Sequence, residues 1–259
     1  MCLILFAYKA SDDWPLVVAS NRDEAYQRPT KEAHFWIDAP HVLAGRDLEK
    51  GGTWMGVDKS GRFAAVTNYR EGVPSIHQAP RSRGELIEHF FRQNASARQY
   101  LDVVKGEGEF YAGFSCLMGD MQALYFYSNR IEEIKAIDPG VHGLSNAFLD
   151  TPWPKVQSGR EELSQLLSKP ETLSRDAVFQ MLYDQRTYEM AQLPRTGIEP
   201  AREKALSAKF IAVDERYGTR SSTVIMVHAS GQVHYEERSF EPWGKCFHTS
   251  NFQFELTST

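Results

Sequence analysis

Residues 3–8, Leu-Ile-Leu-Phe-Ala-Tyr, and residues 16–20, Leu-Val-Val-Ala-Ser, are two near-continuous apolar runs lying close together in the chain. A strand that is apolar at both parities has no face to offer to water, so it belongs in a sheet covered on both sides. The polar link Ser11-Asp12-Asp13-Trp14-Pro15 separates the two runs and makes them candidates for neighbouring strands. Whatever else the chain does, it must supply layers for both faces of that sheet.

The later pattern provides them. Residues 53–57 and 62–68 flank the turn Asp58-Lys59-Ser60-Gly61, and residues 113–118 and 123–127 flank Gly119-Asp120, which predicts two hairpins. Residues 209–213, 221–227 and 232–238 return to strand character, the last two around Ala229-Ser230-Gly231. Between these blocks lie helices. Ser82-Arg83-Gly84-Glu85 reads as a capping box followed by Leu86, Ile87, Phe90 and Phe91 on one face, and a second helix is expected over 97–105. Pro154 opens a stretch carrying Val156, Leu163, Leu166 and Leu167, and Ser174 caps another with Val178, Phe179 and Leu182. Residues 195–204 read as a long loop. The order strands, helices, strands, helices, strands lacks βαβ alternation. It predicts an α+β fold of two mostly antiparallel sheets with helices packed outside them, in a single domain over residues 1–259.

Composition removes several classes of function. The 259 residues carry 29 Lys+Arg against 34 Asp+Glu, a net charge of −5, which gives no electrostatic case for nucleic acid or an anionic membrane. No apolar run approaches the roughly 18 residues of a membrane span, and the N-terminus lacks the basic start of a secretory signal. Cys2, Cys116 and Cys246 include no CxxC pair and are too few for a disulfide framework. A reducing, cytoplasmic setting is expected, with organelle import open for a eukaryotic source. His34, His41, His77, His89, His142, His228, His234 and His248 show no metal-pair spacing and no CxxCH haem-attachment motif is present, so no metal and no cofactor is expected.

The chemistry begins at Cys2. Met1 is removable when the second residue is small, and removal leaves a thiol and a free α-amine on one residue. With reference pKa values of about 7.7–8.0 and about 8.5, the amine can take the proton of its own side chain and activate it as a nucleophile. Otherwise Cys2 is a small apolar residue starting a strand. Asn21-Arg22-Asp23-Glu24 follows the second apolar run. A carboxylate here can hold an α-ammonium, and an arginine can hold a substrate carboxylate or support a thiolate; an ordinary charged turn is the other reading. Asn68 and Asn146, each at a strand end, can donate to a developing oxyanion without titrating, or serve only as turn residues. Arg220 stands before the apolar run 224–227, where it can bind an anion or be a solvated strand end.

Taken together, Met-Cys-Leu-Ile, Asn21-Arg22-Asp23-Glu24, Gly51-Gly52-Thr53-Trp54-Met55-Gly56, Thr67-Asn68-Tyr69-Arg70 and Gly143-Leu144-Ser145-Asn146 resemble the NRDE (transport and Golgi organisation protein 2-like) family. The resemblance covers nearly the whole chain and is most specific in the first 70 residues. It implies an N-terminal-nucleophile (Ntn) hydrolase-like fold, a four-layer αββα sandwich, and an analogy to the cysteine amidases of the penicillin V acylase and choloylglycine hydrolase group. It would make Cys2 the nucleophile, match Asn68 and Asn146 to the two active-site asparagines, and match Arg220 to the late active-site arginine. Those amidases space Arg and Asp three residues apart, whereas Arg22 and Asp23 are adjacent and so face opposite sides of a strand. Asp23 would serve the amine with Arg22 turned elsewhere, or Asn21 would take the inner position. Trp54 and Tyr69, with Phe35 and Trp36, would line an acyl pocket. The implied activity is hydrolysis of a non-peptide amide or related acyl bond of a small molecule. The alternative is a carrier, with the family linked to haem trafficking and to lipid or acyl-CoA homeostasis.

Overall fold

The first strand, β1 (Cys2–Tyr8), is apolar at both parities because it has a core on each side. Leu3, Leu5 and Ala7 pack into one buried cluster, and Ile4, Phe6 and Tyr8 into another. The computed structural model describes residues 2–72, 79–169 and 171–257; Met1 and His77 lie outside them.

Two antiparallel sheets make up the middle of the molecule. In the six-stranded sheet the order is Gly140–Leu144 (β10), β1, Leu16–Ala25 (β2), Tyr217–Val227 (β11), Gln232–Phe240 (β12) and Cys246–Glu255 (β13). The seven-stranded sheet follows chain order. It runs from Thr30–Trp36 (β3) and Ala39–Asp47 (β4) through Met55–Asp58 (β5) and Phe63–Asn68 (β6). Phe114–Gly119 (β7), Leu124–Ser128 (β8) and Ile134–Ala136 (β9) complete it. Between the sheets, Ile4, Phe6 and Val18 meet Val57, Phe63, Ala65 and Leu117. Helices α1 (Arg83–Arg92) and α2 (Ala97–Gly106) cover the outer face of the seven-stranded sheet, burying Leu86, Ile87, Phe90 and Leu101. Helices α3 (Pro154–Leu167) and α4 (Arg175–Leu182) cover the other outer face, burying Val156, Leu163, Val178 and Leu182. The order of layers is αββα, as expected.

Two glycines set how closely layers approach. A Cβ at Gly159 of α3 would stand 2.4 Å from Leu5 Cδ1, so the helix lies directly on β1. A Cβ at Gly52 would stand 2.3 Å from the Gly84 carbonyl carbon, so the loop before β5 abuts the start of α1, and the Thr53 N–H donates to the Gly84 carbonyl at 3.2 Å. Ser82 and Glu85 form the capping box the sequence predicts.

Some local expectations change. Asn21-Arg22-Asp23-Glu24 does not follow a strand but continues β2, because Tyr217, Gly218 and Thr219 of β11 extend the ladder past the apolar part. Residues 209–213 form no strand. The Phe210 N–H donates to the Asp184 carbonyl, and Ile211 exchanges bonds with Thr219, leaving one isolated bridge, Ala212 to Gly218. The apolar side chain of Phe210 instead packs on Tyr183 and Phe240. The loop expected over 195–204 contains a short helix, α5 (Pro200–Ala205), with Pro200 in its first turn and the Glu199 carboxylate capping Ala201 and Arg202. Strands β3, β4, β9 and β13 are additional to the sequence reading.

Candidate functional site

Antiparallel pairing of β1 with β2 sets Cys2 opposite Arg22, and pairing of β2 with β11 sets Asp23 opposite Thr219. Cys2 shares the parity of Ile4 and Phe6, so its thiol is on the inter-sheet side. There it lines a cavity of about 600 Å³ with Arg22, Trp54, Val66, Asn68 and Arg83. Cys2 as a residue is half-buried. Burial pushes its pKa up and the Asp23 charge adds to this, while Arg22 and the Asp23 backbone N–H oppose it.

Alternation along β2 separates the four residues of the motif. Asn21 and Asp23 share the parity of Val17 and Ala19 and turn to the α3/α4 side. The Asn21 amide donates to the Leu182 and Lys209 carbonyls at 2.9 and 2.8 Å and accepts from the Ser222 hydroxyl at 2.6 Å. It is a structural tie, and Asn21 is not among the residues lining the cavity. Asp23 is 1% exposed and accepts from the Thr219 hydroxyl at 2.7 Å. Burial raises its pKa, opposed by Lys155, Thr219 and Arg70. Arg22 turns the other way, donating to Thr30 Oγ1 at 3.1 Å with its guanidinium 4.1 Å over the Trp54 ring.

The end of β10 closes the site. The Ser145 hydroxyl donates to the Cys2 carbonyl at 3.0 Å, the Thr67 hydroxyl to the Ser145 carbonyl at 2.7 Å, and the Asn146 side-chain amide to the Asn68 carbonyl at 2.9 Å. The structure thus brings Cys2, Asp23, Asn68 and Asn146 to one place. Tyr69 packs on Phe148 with ring centroids 5.0 Å apart and is not among the described residues lining the cavity. Arg220 is spent on the turn after β2, donating to the Ala25, Tyr26 and Arg28 carbonyls at 2.7–3.1 Å, and it too is absent from the lining.

Several site residues escaped sequence reasoning. Lys155 is buried behind Asp23, donates to the Leu206 carbonyl at 3.0 Å, and is pushed down to about 8 by burial, with Asp23 supporting its charge. Arg70 forms a buried ion pair with Glu203 and lies 4.6 Å over the Trp153 ring. Arg83 lines the cavity from the first residue of α1. A signal existed for two of them. A basic residue in the first turn opposes the helix dipole, and both Arg83 and Lys155 stand there.

Glu237 of β12 is buried behind Arg22, accepting from the Ala33 N–H at 2.8 Å and the Thr223 hydroxyl at 3.3 Å, and burial pushes its pKa from 4.5 up to about 7. The folded chain therefore favours the neutral acid. This contribution is fully present below the ordinary carboxylate pKa and is lost as pH rises through about 7. Glu237→Gln removes the titration. At 1.36 kcal/mol per pKa unit it should stabilise the fold by about 3 kcal/mol near pH 8 and by little near pH 4. Urea unfolding of both proteins at the two pH values checks this; a pH-independent difference contradicts it.

Two antiparallel sheets between helical layers give the chain an Ntn-hydrolase-like fold, and Cys2, at the head of an interior strand, lines a cavity. The chain superposes over 99% of its length on the conjugated bile acid hydrolase of Clostridium perfringens, covering 98% of that chain, with a TM-score of 0.52 at 10% identity. A second variant of that enzyme gives 0.51 over 100% of this chain and 98% of the other, also at 10% identity. Residues 1–242 match the family model for Transport and Golgi organisation 2, and the chain belongs to that family. It is 36% identical over 278 residues to the Transport and Golgi organization 2 homolog of Mus musculus, covering 100% of both chains. It is 38% identical over 258 residues to the Bos taurus homolog, covering 92% of this chain and 93% of that one.

Proposed function

We propose that the chain is a single-domain cysteine Ntn hydrolase, acting in the cytoplasm on a small-molecule amide or related acyl bond once Met1 is removed. The observation that carries this reading is a half-buried Cys2 on a cavity of about 600 Å³, with Asn68 in the same wall and Asp23 beside its register partner. The α-amine of Cys2 takes the thiol proton, and the thiolate attacks the substrate carbonyl. Asn68 stabilises the oxyanion, and Asn146 acts through its bond to the Asn68 carbonyl as a positioning residue. Collapse breaks the C–N bond, the α-ammonium returns its proton to the leaving nitrogen, and water hydrolyses the thioester. Asp23 orients the ammonium. Arg22, opposite Cys2, supports the thiolate, and Trp54 supplies an apolar wall.

The alternative reading is a haem carrier, for which Cys2 is the candidate axial ligand, with no histidine among the described lining residues of the cavity. No described helix is long and apolar enough to cross a membrane.

A β-lactam probe tests the reading. Ring opening forms a thioester to Cys2 and leaves the proton on the ring nitrogen, so the chain beginning at Cys2 should gain the mass of one intact probe. Cys2→Ser should gain none at matched times. Equal labelling of the variant, or Met1 retained on the native protein, overturns the proposal.

A further inference from the structure

Five cations and five carboxylates are among the described residues lining the cavity, but they do not all pair. Arg28 is paired with Asp47 at 2.8 Å and Glu49 at 3.5 Å, and Arg81 with Glu85 and Glu107. Of the remaining lining acids, Asp23 accepts from Thr219 on the far face of β2, and Glu24 accepts from the Ala25 N–H at 2.9 Å. Three lining cations, Arg22, Lys50 and Arg83, form no ion pair among the described residues, and of these the two guanidinium groups flank Cys2. Arg83 has one hydrogen bond, to the Gly113 carbonyl at 3.1 Å, and forms no ion pair among the described residues. Burial pushes its pKa down, opposed by a Cys2 thiolate and by the nearby but unbonded Glu24 and Glu71 carboxylates. Arg22, 5% exposed, has Thr30 and the Trp54 ring as partners, with the partly protonated Glu237 behind it.

Guanidinium groups are acceptor-free forks that match carboxylate and phosphate oxygens. A half-buried guanidinium turned into a cavity, with most of its donors unclaimed by protein oxygens, is costly unless something else occupies them. We infer that the cavity beside Cys2 binds an anionic small molecule, a carboxylate or a phosphate ester with an apolar tail, and that Arg83 is the residue that selects it. The tail lies against Trp54 and Val66, and Arg22 adds to the field at the inner end. The inference rests on the proposed site being this cavity; it does not need turnover there.

Binding to the Cys2→Ser protein tests it without reaction. Calorimetry compares N-octanoylglycine with its neutral counterpart N-octanoylglycinamide, and octyl phosphate forms a second arm. The carboxylate should bind at least about tenfold tighter than the neutral amide. Arg83→Ala should remove that preference and leave the neutral probe's affinity nearly unchanged, whereas Arg83→Lys should keep part of it. Tighter binding of octyl phosphate than of the carboxylate identifies the anion as a phosphate. Equal binding of charged and neutral probes, no binding of either charged probe at millimolar concentration, or a preference that survives Arg83→Ala overturns the inference. Should Arg83→Ala not fold, salt decides: the preference of the unaltered site should shrink in about 0.5 M KCl, where screening acts within a few ångströms. Loss of β-lactam labelling with the anion preference intact would sink the hydrolase reading and leave this one standing.

Discussion

A chain that carries residues ahead of Cys2 is expected to react with a β-lactam roughly 10²- to 10⁴-fold more slowly than the same chain cut to begin at Cys2. That range is what a positioned general base contributes. A peptide nitrogen at Cys2 cannot take a proton, while a free α-amine near its reference pKa of about 7.7–8.0 can. The environment sharpens the contrast. Burial and the Asp23 charge hold the thiol above its ordinary pKa, so a blocked Cys2 is a neutral thiol at pH 7 and a poor nucleophile. The comparison uses one preparation, with a removable N-terminal tag left on or cleaved at Cys2, and follows adduct mass against time. The blocked chain should regain rate as pH rises and the thiol ionises directly. A tagged chain that labels as fast as the cut one would show that the amine is not the base.

Sequence made the central layers legible because burial on both sides leaves its trace in composition. Leu3 to Tyr8 has no polar position to confuse its reading, and Ser82, Glu85, Pro154 and Ser174 mark helix starts by chemistry local to the chain. Strand β13 left no such trace, because most of its side chains are exposed or half-exposed at the sheet edge. Residues 209–213 misled because an apolar run that packs by its side chains resembles one that pairs by its backbone. At the site, Cys2, Asp23, Asn68 and Asn146 were legible as residues; the registers of β1, β2 and β10, with the bond from Asn146 across to Asn68 of β6, bring them together. Adjacent Arg22 and Asp23 part company across the strand, but the expectation had Arg22 turned away from the site, and it is Arg22 that shares the inter-sheet side with the Cys2 thiol. Sequence distance hid the rest: Lys155, Arg70 and Glu203 converge behind Asp23 from three separate segments. A cation in a helix's first turn marks Lys155 as unusual, but no local pattern announces a buried charge's partner more than a hundred residues away, as Glu203 is from Arg70.

That buried cluster carries the largest stability effect. Removing the Glu203 carboxylate, as in Glu203→Ala, should destabilise the chain by about 3 kcal/mol or more, the scale seen when one member of a buried ion pair is deleted. Both side chains are 5% exposed, and Glu203 also accepts from the Thr196 hydroxyl, so it ties α5 to the segment after β6. Its loss leaves the Arg70 guanidinium and Lys155 close together with less negative charge between them, since Glu203 supports the charged form of each. The repulsion then falls on Asp23, whose carboxylate becomes their main counter-charge and whose pKa should move down toward the ordinary range. A double substitution, Arg70→Met with Glu203→Leu, removes the charges and their desolvation together, so it should recover more than half of the single variant's loss. Urea unfolding of the native chain, Arg70→Met, Glu203→Leu and the double variant measures the coupling. If Glu203→Ala costs under about 1 kcal/mol, the pair is solvated in solution. If the double variant is as unstable as the single one, packing of α5 rather than charge holds this side of the site. Labelling at Cys2, measured per mole of folded chain, separates the two roles: a change in its pH dependence would place the cluster's influence at Asp23, and an unchanged profile would confine it to the fold.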